Sequence, residues 1–293
     1  MKTIKIFFAD YWKGFDCRDN FILSALKERY RIVLEPETPD YLFYSLFGTE
    51  HFRYKNAVKI YFTGENDVPD FNLCDYGIGS SLLSFDDRYF RLPCYATSPD
   101  YGKLFAVRTE DKASLLQRKF CNFVYSNVQA SDPIREKFYH LLSRYKPIDS
   151  GGKHLNNTGK PVVCKMRFIK EYKFTIAFEN SSLPGYTTEK LIDPMLAESL
   201  PVYWGNPAAG ADFNTKSFIN LMDYASIDDA IEEIIYLDNN DAAYLDKLSQ
   251  PWIEEAKRTD FSRGLSAFLA RIVEQPLPEA KRTTDFGYNY FYT

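Results

Sequence analysis

The segment FTIAFENSSLPGYTTEKLIDPMLAESLPVYWGN, from Phe174 to Asn206, carries the strongest structural pattern of the chain. Its first apolar run ends at Phe178 and predicts a strand, which polar residues terminate abruptly. A loop of serine, proline and glycine follows, and a helix is predicted to begin at Thr188. A second apolar run, 200–204, predicts another strand immediately after that helix. Strand, polar loop, helix and strand in this order indicate a parallel sheet, with ligand-binding groups at the carboxyl ends of its strands.

Short apolar runs alternate with helix-length segments in the rest of the chain as well. In the first hundred residues a helix is predicted at 20–30, and the predicted strands are 3–9, 31–34, 41–46, 58–62 and 76–79. The alternation lapses between 95 and 117, and it restarts with a strand at 120–125 and a helix after Asp132. This alternation favours a doubly wound parallel sheet in each half of the chain.

The predicted fold is therefore α/β, with two Rossmann-like domains that face each other across a cleft. We expect an N-terminal domain at 1–105 and a second domain at 106–275. The remaining segment, 276–293, is rich in phenylalanine and tyrosine, and we expect it to pack back on the body of the protein.

Composition argues against several functional classes. A net charge of −4 is not that of a surface that binds nucleic acid. The five cysteines are odd in number and widely spaced, which argues against a disulfide framework and fits a reducing cytoplasm. The sequence shows neither an apolar run of membrane-spanning length nor a leader pattern. We therefore expect a cytoplasmic protein with at most peripheral contact at the inner face of a membrane.

Two basic residues occupy positions that are unfavourable for a cation. Arg135 and Lys190 both fall in the first turn of a predicted helix, where the helix dipole disfavours positive charge by about 0.3–1 kcal/mol. Their placement is explained if an anion binds at each helix N-terminus and accepts charge-assisted hydrogen bonds from the side chain. Two such helix starts could hold the two phosphates of a nucleotide. The alternative is that both side chains point into solvent.

Glu65 is the candidate general base. It follows the predicted strand 58–62 through Thr63 and Gly64, so we expect a partly buried carboxylate at the carboxyl end of that strand, facing the cleft. A carboxylate in this position can accept the proton of an attacking hydroxyl group, which contributes about 10² to 10⁴ in rate. The alternative is a surface residue in a polar turn.

Metal-assisted chemistry has little support in the sequence. The three histidines lack the spacing of a helical metal site, and the chain has no Asp-x-Asp motif. Glycine motifs that bind phosphate are also missing. We therefore predict no metal site and no required cofactor, with arginine and lysine side chains stabilising a nucleotide leaving group.

The motif FTIAFENSSLPGYTTEK, followed by PVYWGNP, closely resembles the signature of the α-1,3-fucosyltransferases, glycosyltransferase family ten. The upstream sequence YFTGENDVPDFNLCDYGIG is similar to the bacterial branch of that family. The sequences SNVQASDPIREKFY and SGGKHLNNTGK are similar to it as well. These motifs follow one another over most of the chain from residue 58 to residue 220.

The resemblance implies a GT-B fold, in which the C-terminal Rossmann-like domain holds GDP-fucose and the N-terminal domain supplies the base. It also implies inverting transfer of L-fucose to the 3-hydroxyl of N-acetylglucosamine in N-acetyllactosamine-type glycans. By position in the matched motifs, Glu65 corresponds to the general base. The residues that correspond to the donor site are Arg135 and Lys190 for the diphosphate, Glu189 for the ribose, and Asn180 and Tyr186.

Two alternative functions remain open at this point. One is an inverting transferase on the same scaffold with another acceptor or linkage, α-1,4 or mixed α-1,3/4. The other is a catalytically inactive glycan-binding protein. Trp12, in the loop after the first predicted strand, could stack on a sugar face, or it could be a core or lid residue.

Overall fold

The computed structural model of the chain describes residues 1–106, 108, 110–126 and 131–283. Its strands, in chain order, are β1 (Lys2–Ala9), β2 (Tyr30–Leu34), β3 (Tyr41–Tyr44), β4 (Val58–Phe62), β5 (Tyr76–Gly79), β6 (Tyr89–Arg91), β7 (Lys119–Phe123), β8 (Ile148–Ser150), β9 (Tyr172–Phe178), β10 (Leu200–Trp204) and β11 (Ile219–Asn220). Its α-helices, in the same order, are α1 (Phe21–Lys27), α2 (Lys112–Leu116), α3 (Ile134–Leu142), α4 (Lys165–Ile169), α5 (Glu189–Leu196), α6 (Ile227–Asp238), α7 (Asp241–Ser249), α8 (Phe261–Glu274) and α9 (Leu277–Ala280). None of the helices in these described ranges combines the length and the apolar character that crossing a membrane requires.

Contacts divide the chain into two units, each built on its own sheet. The first unit comprises Met1–Thr97 and the chain from Thr259 onward, and the second comprises Ser98–Arg258. The first sheet has the strand order β2-β1-β3-β4-β5-β6, and the second has the order β11-β10-β9-β7-β8. The strand pairs in both sheets are parallel. This architecture confirms the predicted α/β fold with two Rossmann-like units.

The central strands could be predicted from the sequence because buried strands consist mostly of apolar residues. Strand β9 lies between β10 and β7, and all seven of its residues are buried. Strands β4 and β10 are likewise buried along their whole length. A strand that is covered on both faces is a nearly continuous apolar run. The bounds of β4 and β10 agree with the prediction, whereas β9 begins at Tyr172, two residues before the predicted apolar run.

The short edge strands were not predicted. Strands β6 and β8 have three residues each, and β11 has two. The glycine- and asparagine-rich composition of 148–160 is typical of a loop, but Ile148–Ser150 pairs with β7 in register Cys121 to Ile148. Strands this short contain too few residues to show a period of two, so only pairing with a longer neighbour defines them.

Helix α8 belongs to the first unit, although the predicted second domain extended to residue 275 and began at residue 106. The Ser266 hydroxyl donates to the carbonyl oxygen of Ala25 over 3.0 Å. The ring of Phe268 stacks on that of Phe90, with 5.5 Å between centroids. The predicted boundaries are therefore wrong at both ends of the second unit. An amphipathic helix shows in its sequence that one face is buried, but not against which sheet.

A buried aspartate holds the segment after α9 on the first unit. The Asp75 carboxylate is fully buried and accepts backbone N–H donation from Lys59, Arg282 and Thr283 over 2.7, 2.6 and 2.6 Å. It also accepts the Thr283 hydroxyl over 2.9 Å. The segment up to Thr283 thus packs on the first unit. The aromatic residues predicted to pack beyond it, in 284–293, lie outside the described residues.

Replacing Asp75 with alanine should destabilise the first unit by about 3 kcal/mol, because buried N–H donors would lose their acceptor. The measurement is the free energy of unfolding in urea. Asp19→Ala, at an exposed aspartate of the same unit, is the matched control and should change this free energy by less than about 0.5 kcal/mol. A loss for Asp75→Ala no larger than that of the control would contradict the anchoring role.

Candidate active site

A cavity of about 240 Å³ lies in the second unit, beside the carboxyl ends of β7 and β9. Four of the predicted donor-site residues line it, namely Arg135, Asn180, Glu189 and Lys190. The chain after β7, the start of α3, the chain after β9 and the start of α5 converge there. Parallel strands place these turns at one edge of the sheet, which is where α/β proteins bind ligands.

The Arg135 side chain is buried at the start of α3 and does not point into solvent. Its exposed fraction is 2%. Its Nη2 donates to the carbonyl oxygen of Phe178 over 3.1 Å and to Oδ1 of Asn180 over 2.9 Å. The guanidinium carbon lies 4.0 Å from the centre of the Tyr125 ring, a cation–π contact. The structure thus holds a cation in the first turn of a helix, where the helix dipole opposes it.

Tyr125 supports this arrangement and was not predicted. Its hydroxyl accepts from the backbone N–H of Phe178 over 2.6 Å and lies 3.0 Å from the carbonyl oxygen of Ile176. Burial raises the pKa of Tyr125 to about 12, although Arg135 and Lys190 lower it, so the phenol is neutral at physiological pH. In the sequence, Tyr125 is only the last residue of the predicted strand 120–125, and that signal does not distinguish it from other tyrosines at strand ends.

Lys190 lies in the first turn of α5, next to the buried carboxylate of Glu179. Thr188 caps the helix, and its hydroxyl accepts the backbone N–H of Lys190 over 3.3 Å. The Lys190 ammonium lies 3.5 Å from Oε2 of Glu179, and its side chain is 16% exposed. It therefore lies between the cavity and a buried carboxylate, and the alternative in which its side chain points into solvent does not hold.

Glu179, like Tyr125, was not predicted as a residue of this site. The residue is fully buried, and its two oxygens accept the backbone N–H and the hydroxyl of Thr188, each over 2.8 Å. Burial raises its pKa, whereas Lys190 and the hydrogen bonds from Thr188 lower it, and the net shift is upward. Gly205 approaches so closely that a Cβ atom there would lie 2.5 Å from Cγ of Glu179, and its φ of +149° also favours glycine.

The carboxylate of Glu189 supplies negative charge at the same cavity. Burial raises the pKa of Glu189, but Lys190 and Lys165 together with hydrogen bonds at the helix start lower it more, so the net shift is downward. Lys165, another lining residue that was not predicted, forms an ion pair with Asp193 over 2.7 Å. The cavity thus combines three cationic side chains with an ionised carboxylate, a set that suits a ligand with both phosphates and hydroxyl groups.

Two predicted residues do not line this cavity. Tyr186 is buried, its carbonyl oxygen accepts the Tyr203 hydroxyl over 3.4 Å, and it is not part of the cavity lining. Glu65 belongs to the first unit, at the carboxyl end of β4, where its backbone N–H donates to the Thr63 hydroxyl over 3.1 Å. Its side chain is exposed rather than partly buried as expected.

Among the described residues, no group of three histidine, cysteine, aspartate or glutamate side chains gathers to form a metal site.

Sequence models of two known domains match the chain. The N-terminal domain of the α-(1,3)-fucosyltransferase FucT matches residues 6–98. The C-terminal domain of glycosyltransferase family 10, the fucosyltransferases, matches residues 115–264. This chain belongs to glycosyltransferase family 10. The motif resemblance noted from the sequence is thereby confirmed, and the cavity lies within the part matched by the family's C-terminal domain.

Individual relatives agree with this membership. The chain is 35% identical to the α-(1,3)-fucosyltransferase FucT of Helicobacter pylori over an alignment of 285 positions. This alignment covers 84% of the chain and 59% of that protein. It therefore spans less than two thirds of that relative's length. A crystal structure of an α1,3-fucosyltransferase superimposes with a TM-score of 0.83 at 31% identity, covering 96% of this chain and 92% of the other. An α1,3-fucosyltransferase crystallised with GDP-fucose gives a TM-score of 0.79 at 31% identity, covering 94% and 92%.

Replacing Lys190 with alanine should destabilise the second unit more at high pH than at low pH. Without the ammonium, the pKa of the buried Glu179 should rise further. A carboxyl group with a raised pKa in the folded state favours folding while it is protonated, and this contribution is lost as the pH rises through that pKa. We expect a loss of about 3 kcal/mol at pH 8 and a clearly smaller loss at pH 5, measured by urea unfolding.

The control for this pH dependence is the double variant Lys190→Ala/Glu179→Gln. A glutamine cannot ionise, so the difference between the two pH values should disappear in the double variant. Equal losses at both pH values in the single variant would show that Glu179 is not the group that needs Lys190.

Proposed function

We propose that this protein transfers L-fucose from GDP-fucose to the 3-hydroxyl of N-acetylglucosamine in N-acetyllactosamine-type glycans, such as those of bacterial surface polysaccharides. The observation that carries the proposal is that Arg135 and Lys190, each in the first turn of a helix, border one cavity. Family membership supports the donor, because the related α1,3-fucosyltransferase was crystallised with GDP-fucose.

The electrostatics of the cavity suit a nucleoside diphosphate. Residues from the first turns of α3 and α5 line the cavity, where the positive ends of the helix dipoles favour an anion, and Arg135 and Lys190 add two full charges. A diphosphate would offset both the dipole penalty and the crowding of cations. The ionised carboxylate of Glu189 can accept hydrogen bonds from ribose hydroxyls, as the family resemblance implies.

The proposed reaction is a single displacement. The acceptor hydroxyl oxygen attacks the anomeric carbon of fucose while the bond from that carbon to the β-phosphate oxygen breaks. The electron pair of the broken bond leaves with GDP, and the hydroxyl proton passes to the Glu65 carboxylate. Because attack and departure occur on opposite faces, the anomeric centre is inverted. Arg135 and Lys190 stabilise the charge that develops on the departing phosphate.

The two units would divide this chemistry between them. The second unit holds the donor through the cavity beside β7 and β9, and the first supplies Glu65 from the carboxyl end of β4. Binding both substrates to one protein removes much of the entropic cost of bringing them together. We further propose that the protein acts in the cytoplasm, with at most peripheral contact at the inner face of a membrane.

Replacing Glu65 with alanine should lower acceptor-dependent GDP release by about 10² to 10⁴, because the attacking hydroxyl loses its base. The affinity for GDP should stay within about twofold of the wild type, since Glu65 is outside the donor cavity. The assay is GDP release from GDP-fucose with N-acetyllactosamine, and GDP binding is measured by calorimetry.

Glu28→Ala, at an exposed glutamate of the same unit, is the matched control and should release GDP at the wild-type rate. Wild-type turnover by Glu65→Ala would remove Glu65 from the mechanism. GDP binding by the wild type with no release on any N-acetylglucosamine acceptor would instead point to an inactive glycan-binding protein. Linkage analysis of the product would reveal α-1,4 transfer.

Chelation should leave most of the activity intact, because cationic side chains rather than a divalent ion stabilise the departing GDP. The measurement is the GDP release rate with excess EDTA, compared with the rate in added magnesium or manganese. A complete loss of activity that added metal restores would refute the assignment of leaving-group stabilisation to Arg135 and Lys190.

A further inference from the structure

An exposed aromatic pair lies at the carboxyl edge of the first sheet. Trp12, in the turn after β1, is 39% exposed, and Phe47, after β3, is 45% exposed. Their ring centroids are 6.3 Å apart and their planes meet at 76°. Leu46 beside them is 41% exposed. Adjacent large apolar side chains on a surface indicate a binding function more often than a single one does.

Ring contacts and a backbone hydrogen bond hold Trp12 and Phe47 in place. The Trp12 ring meets Phe15 edge to face with 5.1 Å between centroids, and Tyr11 stacks on Phe15 at 3.9 Å. The backbone N–H of Phe47 donates to the carbonyl oxygen of Asp10 over 2.9 Å, which ties the two turns together. A platform held in this way loses little side-chain entropy when a ligand binds.

The carboxylate of Asp10 also holds together the turns after β1 and β3. It accepts the backbone N–H groups of Glu50 and His51, each over 2.9 Å, and lies 2.7 Å from Nδ1 of His51. Gly48 approaches so closely that a Cβ atom there would lie 2.3 Å from Oδ1 of Asp10. These contacts position the loop that carries Phe47, and they leave the outer surface of the pair exposed.

The strand order places the pair of Trp12 and Phe47 near Glu65, the candidate base. Strand β3 is the neighbour of β4, which precedes Glu65, and β1 is the next strand along. Neighbouring strands lie about 4.8 Å apart, so the turns after β3 and β1 are about 5 and 10 Å from the turn after β4 along the sheet edge. Spacings of that order are comparable with one and two sugar units.

We propose that Trp12 and Phe47 form an acceptor subsite that binds the apolar face of the galactose unit while Glu65 faces the N-acetylglucosamine hydroxyl. The inference rests on the proposed function and names the sugar that this surface recognises. Sugar rings expose C–H groups on one face, and these pack well on an aromatic ring. Three side chains are far too small a patch for a stable protein interface, which needs about 800 Å² from each partner.

The first test uses Trp12 as its own probe and requires no catalysis. The chain has three tryptophans, and Trp204 and Trp252 are buried, at 8% and 5% exposure. Acrylamide should therefore quench mainly the fluorescence of Trp12. N-acetyllactosamine should protect this fluorescence with a saturable dependence, and the protected component should be missing in Trp12→Phe. Absence of any protection at saturating disaccharide would overturn the proposal.

The second test separates binding from chemistry. Trp12→Ala should raise the KM for N-acetyllactosamine about tenfold and change kcat less than about twofold, while Trp12→Phe should raise KM less than about threefold. With N-acetylglucosamine alone as acceptor, Trp12→Ala should leave KM unchanged, because the subsite holds the other sugar. Tyr236→Ala, at an exposed tyrosine of the second unit, is the control and should leave every constant unchanged.

The outcomes distinguish this inference from the proposed function. Fluorescence protection in a protein that transfers no fucose would support the subsite and refute the transfer reaction. Transfer with an unchanged disaccharide KM in Trp12→Ala would support the reaction and refute the subsite. An equal rise in KM for the monosaccharide and the disaccharide would also refute it, since it would show that Trp12 does not select the galactose unit.

Discussion

The second unit depends on a buried carboxylate at the end of its central strand. Glu179 follows β9 directly and is fully buried, so its charge requires partners inside the protein. Thr188 supplies two hydrogen bonds and Lys190 supplies the counter-charge. These contacts join the end of β9 to the first turn of α5, and the close approach of Gly205 adds the end of β10. The cavity takes its shape from this junction.

The same junction explains why a cation can occupy a helix N-terminus. The dipole of α5 opposes the charge of Lys190, but the buried Glu179 beneath it more than compensates, and the pKa of Lys190 is raised in spite of burial. Arg135 is held by the Phe178 carbonyl, Asn180 and the face of Tyr125. Both cations are therefore positioned before a ligand arrives, which lowers the cost of binding an anion.

The sequence predicted the parts of this site that follow from local pattern. Strand β10 and the start of α5 were found because an apolar run and an N-cap threonine are visible in adjacent residues. Arg135 and Lys190 were found because a cation in a first turn is unusual. Glu179 was missed because its importance comes from burial, and a polar residue after a strand is normally exposed. Tyr186 was matched by motif, but the fold places it away from the cavity.

The sequence by itself determined the fold class and the family. A parallel strand that is buried on both faces can be recognised from its run of apolar residues, and the family can be recognised from the order of its motifs. Only the tertiary structure decided that α8 returns to the first unit, that β8 is a strand, and that Glu179 and Tyr125 support the two cations. Each of these depends on contacts between residues far apart in the chain. The local sequence pattern shows which side chains must be buried, but it does not show which other element of the fold packs against them.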